Sequence, residues 1–245
     1  MRLENRRVLV VGASSGLGQA SALAIAAEGA RVALASRRVE RLEKAAAQAG
    51  GGAIAVPCDV QDEASCRETV ARAADAFGGL DAVVYAPGVG RFNPIEKIDA
   101  AEWRFILETN LVGASLILNA AIEHLEESRG KAVFMSSITI DDRPPRPEQA
   151  SYVVSKVALE ALVQAWQGEH RKVGFTSIAI GDSLSEFGDG FDPEDIARVV
   201  NRWIAEGYMY GRIMAPEAVA AEVVNALASE ETIRRIAVTP RYADD

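Results

Sequence analysis

Two apolar patterns alternate along the chain: short unbroken runs, and longer stretches in which apolar residues recur every three or four positions. The runs at 7–11, 31–36, 53–57, 80–85, 131–137, 174–180 and 235–238 read as strands. The periodic stretches at 16–29, 38–49, 63–77, 100–127, 151–170, 193–206 and 216–228 read as helices. Gly29 and Gly50 to Gly52 stand where glycine commonly ends a helix. With no Pro/Ser-rich linker dividing its 245 residues, the chain is expected to fold as a single α/β domain spanning 1–245.

The first run breaks into glycines and then into an Ala-rich helical pattern, which predicts a strand, a tight turn and a helix start. Gly12, Gly16 and Gly18 permit positive φ and let a ligand approach bare backbone. The free N–H groups opening the next helix favour an anion such as pyrophosphate. The plain alternative is a turn that only packs helix against strand. A second alternative arises because Gly12-Ala13-Ser14-Ser15-Gly16 also satisfies G-x-S-x-G, the nucleophile elbow of α/β-hydrolases, which needs an acid and then a His later in the chain. The two histidines, His124 and His170, fall inside helical patterns and argue against it.

Charge and composition narrow the partners. A net charge of −9 disfavours nucleic acid and anionic membrane, and 49% hydrophobic residues with mean hydropathy near zero fit a globular protein. No apolar run reaches the roughly 18 residues of a membrane span. Cys58 and Cys66 cannot make a disulfide framework and offer no zinc-ligand spacing with the histidines, so no metal is expected. The expected location is the cytoplasm.

Several residues carry candidate chemistry. At the end of the second strand, where an acid would accept a ribose 2′-hydroxyl, stand Ser36, Arg37 and Arg38; guanidinium groups there suit a 2′-phosphate, or else are simply solvated. Asn110 sits in the middle of a helical pattern that it suits poorly and reads as an irregularity. Ser136 and Ser137 end the fifth run at the carboxyl edge of the sheet, where doubly wound proteins bind ligands. Tyr152 and Lys156 are four apart, so on a helix they share a face. A free Tyr has a pKa of about 10, and a nearby Lys⁺ would lower it.

The G-x-x-x-G-x-G turn, Asn110 in its N-L-x-G context, a strand-end Ser and the Tyr152/Lys156 pair occur in the order used by the classical short-chain dehydrogenases/reductases, and nearly the whole chain resembles that family. The resemblance implies a Rossmann-type, doubly wound sheet of seven parallel strands with helices on both faces, hydride transfer between NADP(H) and a ketone or secondary alcohol, and a homodimer or homotetramer. It implies Asn110, Ser137, Tyr152 and Lys156 as catalytic residues: Tyr152 is the acid-base group, Lys156 its partner and the holder of the ribose, Ser137 the hydroxyl on the substrate carbonyl, and Asn110 the holder of a relay water. For the cofactor it implies Gly12, Ser14, Ser15, Gly16, Leu17 and Gly18 at the turn, and Ser36, Arg37 and Arg38 at the second strand. Asp59 and Val60 would lie by the adenine, although Asp59 or Asp62 could equally cap the next helix. Ala86 and Gly88 follow the fourth strand, while Gly181 and Ser183 join Tyr152 and Lys156 near the nicotinamide.

The chain departs from the family at two places. Tyr85-Ala86-Pro87-Gly88 replaces Asn-Asn-Ala-Gly, and Ile180-Gly181 replaces Pro-Gly. These departures leave a non-catalytic NADP-binding sensor or scaffold as the alternative. The separation of 15 residues between Ser137 and Tyr152 is long for the family, with the loop at 141–147 absorbing the excess. Residues 182–213 are expected to cover the substrate. Their aromatics, Phe187, Phe191, Trp203, Tyr208 and Tyr210, either line the pocket or dock the segment, and docking is the preferred reading for Trp203. Asp182, Asp189, Asp192, Glu194 and Asp195 are expected to discourage anionic substrates, which leaves a neutral, mostly apolar ketone or alcohol rather than an acyl thioester or a sugar.

Overall fold

The computed structural model describes residues 1–184, 191–209 and 211–241. In chain order it builds β1 (Arg7–Val11), α1 (Gly16–Ala27), β2 (Arg31–Ser36), α2 (Val39–Ala49), β3 (Ile54–Pro57), α3 (Glu63–Phe77), β4 (Ala82–Tyr85) and α4 (Ala100–Leu107). There follow α5 (Gly113–Ser128), β5 (Lys131–Ser137), α6 (Ala150–Glu169), β6 (Gly174–Ile180), α7 (Pro193–Ala205), α8 (Pro216–Ala228) and β7 (Arg235–Val238). The strands form one parallel sheet in the order β3-β2-β1-β4-β5-β6-β7. The chain winds from β1 out to β3 and then restarts on the other side of β1 with β4. That reversal opens a crevice at the carboxyl ends of β1 and β4.

Strand alternation explains the two layers of core. Val8 and Val10 point towards Ile25 of α1, Leu42 of α2 and Val223 of α8. Leu9 and Val11 point the other way, to the layer holding Phe77 of α3, Ile117 of α5 and Leu159 of α6. A strand covered on both faces has no polar side, which is why β1 reads as an unbroken apolar run.

The stretch at 100–127 is not one helix. α4 and α5 are joined by a π turn at Glu108–Val112, and Asn110 sits inside it, fully buried. A π turn disrupts the helix hydrogen-bond ladder, and here Tyr85 serves the carbonyl of Thr109: its hydroxyl donates at 2.5 Å. Gly113 makes room, because a Cβ there would lie 2.6 Å from that hydroxyl. Contrary to the expectation of no span-like run, the helical stretch Ala100–Ser128 is long and apolar enough to pass for one, with mean hydropathy 1.6. Ala114, Ile117, Leu118, Ala121 and Leu125 of α5 nonetheless lie buried in the protein core. Of the two candidate caps, Asp62 takes the role, accepting from Ala64 N at 2.9 Å, while Asp59 closes the preceding turn by accepting from Gln61 N at 3.1 Å.

Tyr85→Phe should keep the ring in the core but strand the Thr109 carbonyl, lowering unfolding free energy by about 1–3 kcal/mol. Urea denaturation measures it; an unchanged midpoint would mean the carbonyl finds another donor.

Candidate active site

The crevice is a cavity of about 700 Å³. Its floor is set by close packing. Gly12 has φ +81°, a Cβ on Gly18 would lie 2.3 Å from the Gly12 carbonyl oxygen, and a Cβ on Gly12 would lie 2.9 Å from the nitrogen of Pro87. Ser14, Ser15, Gly16 and Leu17 complete the turn along the cavity wall, and Ala86, packed against Gly12 and Gly18, lines it with Gly88. Ser36, Arg37 and Arg38 line its far end, beside Asp59 and Val60. Arg38 is turned towards the glycine turn: its Nε donates to Ser14 Oγ at 3.0 Å and its Nη2 to Ser15 Oγ at 2.5 Å. A bare-backbone cradle, a helix N-terminus and two guanidinium groups fit a dinucleotide with its pyrophosphate on the turn. Ser136 also lines the cavity, and its Oγ is buried with no partner of its own.

Tyr152 and Lys156 stand on the first turns of α6 and also face the cavity. The Tyr152 hydroxyl bonds to Ser137, whose Oγ lies 2.9 Å from Thr139 Oγ1. Ser136 and Ser137 are consecutive in β5 and project to opposite faces, so one of them meets Tyr152. Lys156 is 3% exposed, and its Nζ donates to the Met135 carbonyl at 2.8 Å. The electrostatics differ from the expectation that Lys156 lowers the Tyr152 pKa. Burial raises it, against the bond to Ser137 and the nearby Arg146 guanidinium, which lower it, while Asp182 adds to the rise. Burial likewise pushes Lys156 down to about 8, from an ordinary 10.5. Tyr152 is therefore a neutral proton donor at physiological pH in this state.

Of the residues expected to be catalytic or to hold the cofactor, Asn110 does not line the cavity and the others do; of the aromatics at 182–213, Phe191 and Tyr208 do not line it either. The Asn110 amide braces the loop after β4: Oδ1 accepts from Val89 N at 2.8 Å, and Nδ2 donates to the Val89 carbonyl and to Ser155 Oγ, each at 2.9 Å. The altered Tyr85-Ala86-Pro87-Gly88 segment is thus held by Tyr85 on the π turn, Pro87 on Gly12 and Val89 on Asn110. Gly181 lines the cavity too, yet its lack of a side chain answers to packing, since a Cβ there would lie 2.9 Å from Pro240 Cδ. Ser183 pairs with Met214 in an isolated bridge.

Sequence reasoning missed the segment 146–149. Arg146 is 4% exposed and holds Asp142 at 2.7 Å and Asp182 at 2.8 Å. The Pro147 carbonyl accepts from Trp203 Nε1 at 3.0 Å, and Glu148, at φ +63°, pairs with Arg198 at 2.8 Å and Arg202 at 3.4 Å. Gln149 is buried and lines the cavity. α7 is thereby bolted to the loop that leads into α6. Trp203 both docks it and lines the cavity, edge-on to Phe92 at 5.3 Å. The expected acidic character of the cover is largely engaged: Asp182 by Arg146, Asp192 as the cap of α7 and Asp195 by Arg198. Phe191 packs on Phe92 at 4.7 Å; Phe187, Asp189 and Tyr210 lie outside the described residues. The only sequence signal for 146–149 was a charged, Pro-rich loop before a Tyr, which named no partner.

The hydrolase alternative fails on geometry. No histidine is among the described residues lining the cavity, and His170, at the far end of α6, pairs with Glu126 at 2.9 Å. Residues 6–187 match the short chain dehydrogenase family. The chain belongs to that family. A D-threitol dehydrogenase of Mycolicibacterium smegmatis is 30% identical over 91% of this chain and 86% of its own. An uncharacterised oxidoreductase of Methylorubrum extorquens is 35% identical over 76% of each chain. The solved alcohol dehydrogenase of Thermococcus sibiricus, complexed with 5-hydroxy-NADP, superposes with a TM-score of 0.82 at 28% identity, covering 97% of this chain and 96% of that one. Short-chain dehydrogenases are oxidoreductases that bind a nicotinamide cofactor.

The buried Lys156 has a pH signature. Between about 8 and 10.5 the unfolded chain keeps the proton that the folded protein has released, so stability contributed by this group rises with pH across that window. Relative to Lys156→Met, the cofactor-free protein should gain on the order of 3 kcal/mol in unfolding free energy from pH 8 to 10.5. Parallel urea midpoints for the two proteins over this range would show that Lys156 is not desolvated as described.

Proposed function

We propose that this short-chain dehydrogenase is an NADP(H)-dependent carbonyl reductase or alcohol dehydrogenase acting on a neutral, mostly apolar ketone or secondary alcohol. The observation that carries the reading is the meeting of Tyr152, Ser137 and Lys156 in the same cavity as the glycine turn and the two arginines. Arg37 and Arg38 give a 2′-phosphate two guanidinium partners, and no acid stands at that strand end to favour the bare ribose. When bound, the nicotinamide supplies or accepts the hydride. Ser137 and Tyr152 orient the substrate oxygen, and Tyr152 gives it a proton as negative charge develops there, or takes the proton back in the oxidative direction. Lys156, behind Tyr152, steadies the phenolate that results. Ser183, which lines the cavity, contacts the cofactor in this reading. Asn110 serves through the loop it braces.

Val89, Phe92, Ile196, Val200 and Trp203 supply an apolar wall, with Phe92 and Trp203 in edge-on contact. That wall supports a moderately sized apolar body on the substrate. Val112, Val154 and Val157, near the π turn and on α6, are about half exposed, a surface suited to a homodimer or homotetramer. We place the enzyme in the cytoplasm, where the buried Cys58 and Cys66 would stay reduced.

Fluorescence titration should give a lower Kd for NADPH than for NADH, and Arg37→Asp should shift the ratio towards NADH. Equal affinities in the parent protein would remove the NADP assignment.

Tyr152→Phe should abolish turnover while leaving NADPH affinity nearly intact; Lys156→Ala should damage both. Ser137→Ala should cost more activity than Ser136→Ala. Cofactor binding without turnover of any ketone or alcohol in a broad panel would instead favour the sensor or scaffold reading.

A further inference from the structure

We propose that Gln149 reads a second polar group on the substrate, a neutral hydroxyl on the carbon next to the one that exchanges hydride. The preferred substrates would then be α-hydroxy ketones, or the corresponding vicinal diols, on an apolar body. The inference rests on the oxidoreductase reading above. Three observations carry it.

Gln149 is 5% exposed, lines the cavity, and its Oε1 is buried without a hydrogen-bond partner. An amide left without partners is costly, and at the wall of a ligand cavity it is satisfied by a ligand group that can donate or accept there. Gln149 is also the residue preceding the first turn of α6, yet its side chain makes no capping bond, so local structure does not account for its orientation. It stands three residues before Tyr152, and at helical spacing that puts it about one turn away, within reach of the atom adjacent to the carbon that Tyr152 serves.

The surroundings select a hydroxyl over a charged group. Among the described residues, the cations lining the cavity are Arg37, Arg38, Arg146 and Lys156. The first two lie at the β2 end, Lys156 is held by the Met135 carbonyl, and Arg146 is already held between Asp142 and Asp182. A substrate carboxylate would find no unengaged cation beside Gln149 and would meet two carboxylates balanced by one guanidinium. A hydroxyl, which both donates and accepts, suits an amide in either orientation.

The matched series acetophenone, 2-hydroxyacetophenone and phenylglyoxylate separates these classes at one apolar body. With NADPH, kcat/KM should be highest for 2-hydroxyacetophenone and lowest for phenylglyoxylate. In Gln149→Met the ratio of hydroxy ketone to plain ketone should fall by about tenfold or more, since a site built to bond a hydroxyl discriminates strongly against its absence. Comparing ratios cancels the intrinsic reactivity of the two ketones. An unchanged ratio in the variant, or phenylglyoxylate as the best substrate, would overturn the assignment. Calorimetric titration of Tyr152→Phe loaded with NADPH gives a readout that needs neither turnover nor a Gln149 variant: 2-hydroxyacetophenone should bind about tenfold more tightly than acetophenone. Equal affinities would overturn the inference on their own. Tighter binding of the hydroxy ketone, with no turnover of any ketone by the unmodified enzyme, would support Gln149 as the reader and count against the oxidoreductase reading.

Discussion

The site depends on how closely three chain segments approach at the carboxyl end of β1. α1 comes so near that a Cβ on Gly18 would sit 2.3 Å from the Gly12 carbonyl oxygen, and Pro87, leaving β4, packs against Gly12 from the other side. Only bare backbone allows both contacts. Together they fix where α1 begins and therefore where its free N–H groups point, and they fix the start of the loop whose Val89 is clasped by Asn110. Displacing α1 outward would move those N–H groups away from β4 and Tyr152, so the packing contact sets the geometry of the crevice.

The parts of this arrangement that were legible in the sequence are those encoded by neighbours in the chain. The seven strands and their parallel order follow from regular alternation of apolar runs with helical periods, and the glycine turn and the Tyr152/Lys156 pair are local patterns with fixed spacing. Illegible were contacts joining distant segments. Tyr85 stood where asparagine was expected and looked like a loss of hydrogen bonding, but its hydroxyl serves a π-turn carbonyl 24 residues on. Arg146 read as part of a spacer loop; its role depends on Asp182, 36 residues away at the end of β6. The Asn110 irregularity was visible as a poor helix former, whereas its clasp on Val89 and Ser155 was not.

The Tyr152/Lys156 pair shows why spacing alone does not give the electrostatics. Four residues on a helix place Tyr152 and Lys156 on one face, and in water that would suffice for the cation to lower the phenol pKa. Inside the protein both groups are desolvated, and the burial that raises Tyr152 also lowers Lys156. Lys156, at about 8, still carries its proton at neutral pH, so the cost of burial falls on a cation held by the Met135 carbonyl, while the Tyr152 phenol keeps its proton beside it.

The same reasoning assigns a role to the four consecutive residues at 146–149. Arg146 ties the loop to the end of β6, Pro147 receives Trp203, Glu148 receives Arg198 and Arg202, and Gln149 turns into the cavity immediately before α6. Glu148 adopts a left-handed backbone that non-glycine residues avoid, and such strain persists only where the surroundings over-determine it. Here two arginines from α7 do so. Because Gln149 and Tyr152 are joined by a single helical turn, the position of α7 bears on the placement of both side chains. α7 and the start of α6 are therefore one mechanical unit, with the strained residue at its joint.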